Sequence, residues 1–138
     1  MTRFTRRQGG TLWATSILYP VINGNGEFSR DFTYIDNVIQ ANLLSITTKN
    51  KKAINTVYNV AFGERNTLKD LVEILKEHLT NFDPKIKDIH VVYGPNRLGD
   101  IQHSLASIDK SKKLLNYNPR YSLKNGLKQA VNLYWNNL

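Results

Sequence analysis

Gly24-Asn25-Gly26-Glu27-Phe28-Ser29-Arg30-Asp31-Phe32-Thr33-Tyr34-Ile35-Asp36-Asn37-Val38 is the stretch on which the fold turns. It opens as a turn, because Asn23-Gly24-Asn25-Gly26 after Pro20 is rich in residues that tolerate positive φ. It then becomes a helix. Over residues 31–45 the apolar side chains Ile35, Val38, Ile39 and Leu43, continued by Ile46, recur at the spacing of one helical face. Arg30 stands between turn and helix, beside Asp31. A guanidinium fork near glycine-rich backbone matches two phosphate oxygens and so suits a diphosphate. The glycines are not a dinucleotide fingerprint. That pattern needs a third glycine where this chain has Ser29, and it should follow a strand and open a helix.

Working outward, Asn50-Lys51-Lys52 ends the first helix in a solvated loop. Thr56-Val57-Tyr58-Asn59-Val60 is short, β-branched and aromatic, which predicts a strand that Gly63 breaks. Thr67-Leu68-Lys69-Asp70 has the form of a capping box. It is followed by an apolar stripe at Leu68, Leu71, Val72, Leu75 and Leu79. Pro84 lies in a loop, and residues 89–93 read as a second strand. The loop over 94–99 holds Pro95 and Arg97, with Asp100 three residues beyond Arg97. A short helix is expected over 109–115, stopped by Asn116 and Pro119. Ser122 caps a last helix with Leu123, Leu127, Val131, Leu133 and Trp135. The result is an α/β arrangement with a very small sheet, incomplete for an independent domain.

The 138 residues suffice for one domain. Hydrophobic residues make up 41% and charged residues 22%, the composition of a chain that builds a core. Nineteen basic against eleven acidic residues give a net charge of +8, which suits a phosphorylated or polyanionic partner. The absence of cysteine excludes disulfides, thiolate metal sites and a cysteine nucleophile, and fits a reducing, cytoplasmic setting. No apolar run approaches the roughly 20 residues of a membrane span. Arg3, Arg6 and Arg7 ahead of Leu12-Trp13-Ala14 loosely mimic an export signal. Thr11, Thr15 and Ser16 interrupt that apolar region and no cleavage site follows, so export is not expected. His78, His90 and His103 lack metal-ligand spacing, and no metal site is expected. Asp31, Asp36, Asp70 and Asp100 read as caps or ion-pair partners rather than catalytic acids. The lysine clusters at 49–52 and 110–113 read as solvated faces. Basic residues are spread along the chain instead of interleaving with aromatics on one surface, so nucleic acid is not an expected partner.

From 21 to 138 the chain resembles the extended short-chain dehydrogenase/reductase enzymes that act on nucleotide sugars. The residues from Gly24 to Val38 match that family's G-x-G-x-x-x-R-D-(F/Y)-x-(Y/H)-(V/I)-x-(D/N)-(V/I) block. Tyr58-Asn59-Val60-Ala61 and the capped helix after Thr67 match its next block, and Arg97-Leu98-Gly99-Asp100 its R-x-G-D loop. Asp109 to Leu115, Pro119 and Gly126-Leu127 complete the pattern, and the subgroup most similar is the UDP-N-acetylglucosamine 4-epimerases. The resemblance implies the small C-terminal substrate domain of that α/β fold, with nucleotide-sugar binding over 21–138. It implies that Arg30 and Arg97 grip a diphosphate, that Asp100 bonds ribose hydroxyls, and that Val21 to Asn23 border the uracil. Ser104 matches a position facing the sugar, where a small residue accompanies N-acetylated substrates.

The chain also departs from the family. The glycine fingerprint for NAD and the proton-shuttling Tyr-x-x-x-Lys pair do not occur in it. Phe4-Thr5-Arg6-Arg7-Gln8 resembles F-G-x-R-Q with Thr5 in place of glycine, and Thr2 stands where a substrate-contacting asparagine is expected. Residues 9–20 replace a longer helical stretch. Residues 1–20 therefore read as a divergent, truncated start, the Rossmann domain as absent, and the chain as inactive alone. No catalytic residue and no cofactor site are expected in it, NAD belonging to the full-length family. The expected partners are a UDP-sugar and either a Rossmann-domain chain or a homo-oligomer. The competing reading is a structural or interaction module without sugar-nucleotide binding.

Overall fold

The computed structural model describes residues 19–137. The turn after Pro20 forms as the sequence predicts, with Gly24 and Gly26 at φ +78° and +83°, a region open to glycine at no steric cost. It joins strand β1 (Val21–Asn23) to β2 (Ser29–Arg30). Then come helix α1 (Ile35–Thr47), a 3₁₀ turn (Lys51–Ala53), β3 (Asn66–Thr67) and α2 (Leu68–Thr80). A second 3₁₀ turn (Pro84–Asp88), β4 (Val92–Gly94), α3 (Asp109–Leu115) and α4 (Leu123–Asn136) complete the chain. The strands form two separate pairs. β1 runs parallel to β4 with Ile22 opposite Tyr93, and β2 runs antiparallel to β3 with Arg30 opposite Asn66.

Three expectations change. The first helix begins at Ile35 rather than Asp31, because the Asp31 carboxylate is held elsewhere. It accepts from the backbone N–H of Phe62 (3.1 Å) and of Gly63 (3.1 and 3.2 Å). The strand read over 56–60 pairs with no other strand among the described residues. Its carbonyls are taken by side chains instead: Ser111 Oγ donates to Asn59 O (3.1 Å) and Tyr117 Oη to Ala61 O (2.9 Å). The second predicted strand shifts to Val92–Gly94, where it pairs with β1.

The core forms where α1, α3 and the 58–61 segment meet. Ala41, Ala53, Ala61, Ile108, Leu115 and Tyr117 are buried together, with Leu44, Tyr58 and Val60 packed against them. Burial pushes the Tyr117 phenol above its ordinary pKa, so it remains a donor to Ala61. α1 does not bury the face that the sequence spacing picked out. Ile35, Ile39, Leu43 and Ile46 are exposed, whereas Asn37 and Ala41 are buried. Asn37 is tolerated there because both the N–H and the oxygen of its amide are bonded. It donates to Tyr121 O (2.8 Å) and accepts from the N–H of Arg120 and Tyr121 (2.9 and 3.1 Å).

α2 and α4 form a second layer. Phe82 stacks on Trp135 with ring centroids 5.2 Å apart, and buried His78 meets Lys124 O through Nε2 at 3.1 Å. α4 crosses Tyr34 closely at Gly126. A Cβ there would lie 2.8–2.9 Å from Tyr34 atoms. Gly126→Ala is therefore expected to destabilise the fold by about 1–3 kcal/mol through overpacking, measured by urea denaturation. An unchanged midpoint would show that Tyr34 yields freely.

The capping box at α2 is complete: Thr67 Oγ1 accepts from Asp70 N (3.0 Å) and the Asp70 carboxylate accepts from Thr67 N (2.8 Å). The Thr67 backbone and hydroxyl hold Asp70 below its ordinary pKa. Folding thus lowers this pKa, so the stabilisation is present at neutral pH and lost as pH falls through the carboxylate range. Thr67→Ala should cost about 1 kcal/mol at pH 7. In melts across pH, the gap to the parent should narrow below about pH 4. A gap that widens in acid would contradict this.

Candidate functional site

The two strand pairs and the loop after β4 bring four of the six predicted site residues together. β2 ends at Arg30, whose guanidinium reaches across to that loop. Its Nη2 donates to Asp100 Oδ1 at 2.9 Å, and its Nη1 donates to Ser29 O (2.9 Å) and Gln102 O (3.4 Å). Asp100 closes a turn with Arg97, its N–H donating to Arg97 O at 3.3 Å. The intervening Gly99 sits at φ +79°, so the turn depends on a residue without Cβ. With its amide oriented to face the neighbouring guanidinium, Asn23 Oδ1 accepts from Arg97 Nε (2.9 Å) and Nη2 (3.2 Å). Arg30 and Arg97 are thus held by different partners and flank one turn.

Ser104 is exposed and tied to the same strand, its N–H donating to Ser29 O at 3.1 Å. Val21 opens β1 opposite Val92, and its side chain is exposed. The sequence marks Ser29 only as the residue that breaks a glycine pattern. The structure makes it the anchor of this region. It is buried, its N–H donates to Gln102 O (2.9 Å), and its hydroxyl pairs with His103 Nδ1 at 2.9 Å. No spacing rule could have flagged it, since its partners lie more than 70 positions away.

The site is an open surface carrying two cations and one carboxylate. A cavity of about 550 Å³ lies elsewhere, between α1 and the 116–121 segment, and none of the six residues lines it. Lys69 and Glu27 pair nearby at 3.1 Å, and that hydrogen bond raises the lysine pKa. Among the described residues no cluster of His, Asp and Glu could hold a metal ion, and no helix is long and apolar enough to cross a membrane. The readings at Thr2, at 4–8 and at 9–18 lie outside the described residues.

The family profile described as GDP-mannose 4,6 dehydratase matches residues 15–130. The chain belongs to the extended short-chain dehydrogenase/reductase family of nucleotide-sugar enzymes. Within this family, the UDP-glucose 4-epimerase of Thermotoga maritima, solved with UDP-glucose, is 34% identical with a TM-score of 0.73, over 86% of this chain and 35% of that one. The UDP-N-acetylglucosamine 4-epimerase of Methanobrevibacter ruminantium, solved with UDP-N-acetylmuramic acid, is 35% identical with a TM-score of 0.74, over 87% and 36%. The UDP-glucuronic acid 4-epimerase of Bacillus cereus, solved with UDP-glucuronic acid and NAD, is 28% identical with a TM-score of 0.74, over 86% and 36%. These family members are named for three different sugars. The chain spans about a third of the length of the curated relatives it matches. Its fold is the corresponding part of the family's α/β architecture.

The two carboxylates in this region should behave differently in stability assays. Asp31 accepts from two backbone amides of a packed loop, and Asp31→Ala should cost about 1–3 kcal/mol. Asp100 holds Arg30 in a pair about a third exposed on each side. Its loss should cost about 1 kcal/mol or less. Chemical denaturation of both variants makes the comparison, and equal losses would mean that the Arg30–Asp100 pair is a structural tie.

Proposed function

We propose that this chain is the UDP-sugar-binding part of an NAD-dependent UDP-N-acetylglucosamine 4-epimerase, with UDP-N-acetylglucosamine as its ligand. The observation that carries the reading is the pairing of Arg30 with Asp100 and of Arg97 with Asn23 on the two sides of one glycine turn. Two guanidinium forks, one at the end of β2 and one on the loop after β4, can take the oxygens of a diphosphate without crossing the core. Asp100 can then accept from ribose hydroxyls, and the edge formed by Val21 and Asn23 can border the uracil. Ser104, small and exposed, leaves room for an N-acetyl group. The family match does not favour the alternative of an interaction module without sugar-nucleotide binding. The lack of cysteine suits a reducing compartment such as the cytoplasm.

NAD does not fit the described residues. The Gly24–Gly26 turn runs from β1 into β2 rather than into a helix N-terminus, so it offers none of the converging helical N–H groups that hold a pyrophosphate. The sequence also lacks a tyrosine followed four residues later by lysine. This chain's share of the work is therefore to bind and orient the substrate. Hydride transfer requires the part of the family's length that the chain does not span. Pure chain incubated with UDP-N-acetylglucosamine and NAD should show no turnover by product chromatography. Sustained turnover would overturn this division of labour.

Binding is tested by calorimetric titration with UDP. Arg30→Ala and Arg97→Ala should each weaken affinity by about 10- to 150-fold, the worth of a lost charge-assisted hydrogen bond of about 1.5–3 kcal/mol. Lysine at either position should restore only part of it, because the charge returns without the fork. Melting temperatures should change little. Unchanged UDP affinity with a large loss of melting temperature would make the arginines structural and remove the basis for the assignment.

A further inference from the structure

Two guanidinium forks can share one diphosphate only if the span between them is fixed, and the two arginines reach this surface from different elements. Arg30 ends β2, whereas Arg97 and Asp100 belong to the loop after β4. From Pro95 to Leu105 every residue of that loop is exposed, so packing does little to hold it. Its backbone meets β2 at a single rung. Ser29 and His103 lie side by side as in a parallel ladder, with Ser29 N–H donating to Gln102 O (2.9 Å) and Ser104 N–H to Ser29 O (3.1 Å). One rung fixes a point of contact but not the angle of the loop about it.

A side chain adds the missing restraint. His103 Nδ1 lies 2.9 Å from Ser29 Oγ. Ser29 is buried, and on its other edge it pairs with Thr67 of β3. Of the side-chain hydrogen bonds that residues 95–105 make among the described residues, only this one ends on a buried residue. Nδ1 is bonded directly to Cγ, so the contact is short and freezes few torsions. The Arg30–Asp100 pair cannot serve the same purpose, because the ligand proposed above takes up both of its members. His103 makes no hydrogen bond to either arginine among the described residues, so its effect on them passes through Ser29.

We propose that His103 is a positioning residue for the diphosphate. Through the Ser29 hydroxyl it locks the loop against β2 and so sets the span between the forks of Arg30 and Arg97. This rests on the diphosphate reading given above and adds to it. His103 matters for a ligand that engages both forks and little for one that engages a single fork.

The test is paired calorimetric titration of the full chain with UDP, which offers two phosphates, and with UMP, which offers one. His103→Ala should weaken UDP binding about three- to tenfold, the loss of one hydrogen bond, and change UMP binding by less than about twofold. Retained UMP binding also reports that the variant is folded. His103→Asn carries an amide on the same Cγ and should recover most of the UDP affinity, whereas His103→Gln sets its amide one carbon further out and should not. Should His103→Ala fail to fold, the contrast between asparagine and glutamine carries the same test. Ser29→Ala should match His103→Ala, and the double variant should lose no more than either alone. Equal losses for UDP and UMP, recovery by glutamine as full as by asparagine, or additive losses in the double variant each overturn the proposal. If the parent chain itself binds no UDP, the ligand reading falls and takes this role with it. A parent that binds UDP, with His103 variants that keep its ratio of UDP to UMP affinity, refutes the positioning role alone.

Discussion

Buried peptide groups must be hydrogen-bonded, and the two short strand pairs among the described residues bond only a few of them. The rest of this structure follows from that shortage. Where a larger sheet would use a ladder, this chain uses side chains aimed at backbone. Asn37 holds the 120–121 segment, Asp31 holds Phe62 and Gly63, and Ser111 and Tyr117 hold the carbonyls of the 57–61 segment. Each of these links spans tens of residues in sequence. Each also converts a polar side chain that would normally seek water into a structural tie. The buried polar residues Asn37 and Ser111 thus take the place of ladder partners among the described residues.

That substitution explains what could be read from sequence. Elements set by local chemistry were legible: the glycine turn at 24–26, the Thr67–Asp70 cap, the short helix at 109–115 and the Ser122 cap all depend on neighbours within a few positions. Elements set by distant partners were not. The 56–60 segment has the composition of a strand, yet composition cannot supply the neighbour it pairs with. The periodicity of α1 correctly marked a helix. What it could not show is which residues turn inward: the apolar stripe is largely exposed, and the buried positions are Ala41 and an asparagine at 37 that looks polar until Tyr121 is brought to it. Asp31 sat next to Arg30 in the sequence and was drawn to amides 31 and 32 positions away.

The arginine site shows the same division. Motif spacing selected Arg30, Arg97 and Asp100, because turn residues and charge forks are local signals. Their partners were not readable. Arg30 bonds Asp100 across 70 positions, and Asn23 takes up Arg97 from a different strand. The loop that carries Arg97 and Asp100 is held to β2, and so to Arg30, by the bonds of Ser29 to Gln102, His103 and Ser104. The geometry that presents two cations on one surface is thus maintained by a serine with no charge and no motif of its own.

The Arg30–Asp100 pair has a consequence for selectivity on the proposed reading. Asp100 acts as a tethered surrogate anion: it occupies the fork before any ligand arrives and keeps the guanidinium aimed outward. An incoming anion competes with a carboxylate whose effective concentration is set by the fold rather than by the solution. A simple phosphate ion can offer Arg30 a replacement but gives Asp100 nothing in return. A nucleoside diphosphate can satisfy both at once, with phosphate oxygens for the arginine and sugar hydroxyls for the displaced carboxylate. The internal competitor thus filters ligands by the number of matched groups they bring, and it keeps abundant small anions from saturating a strongly basic surface.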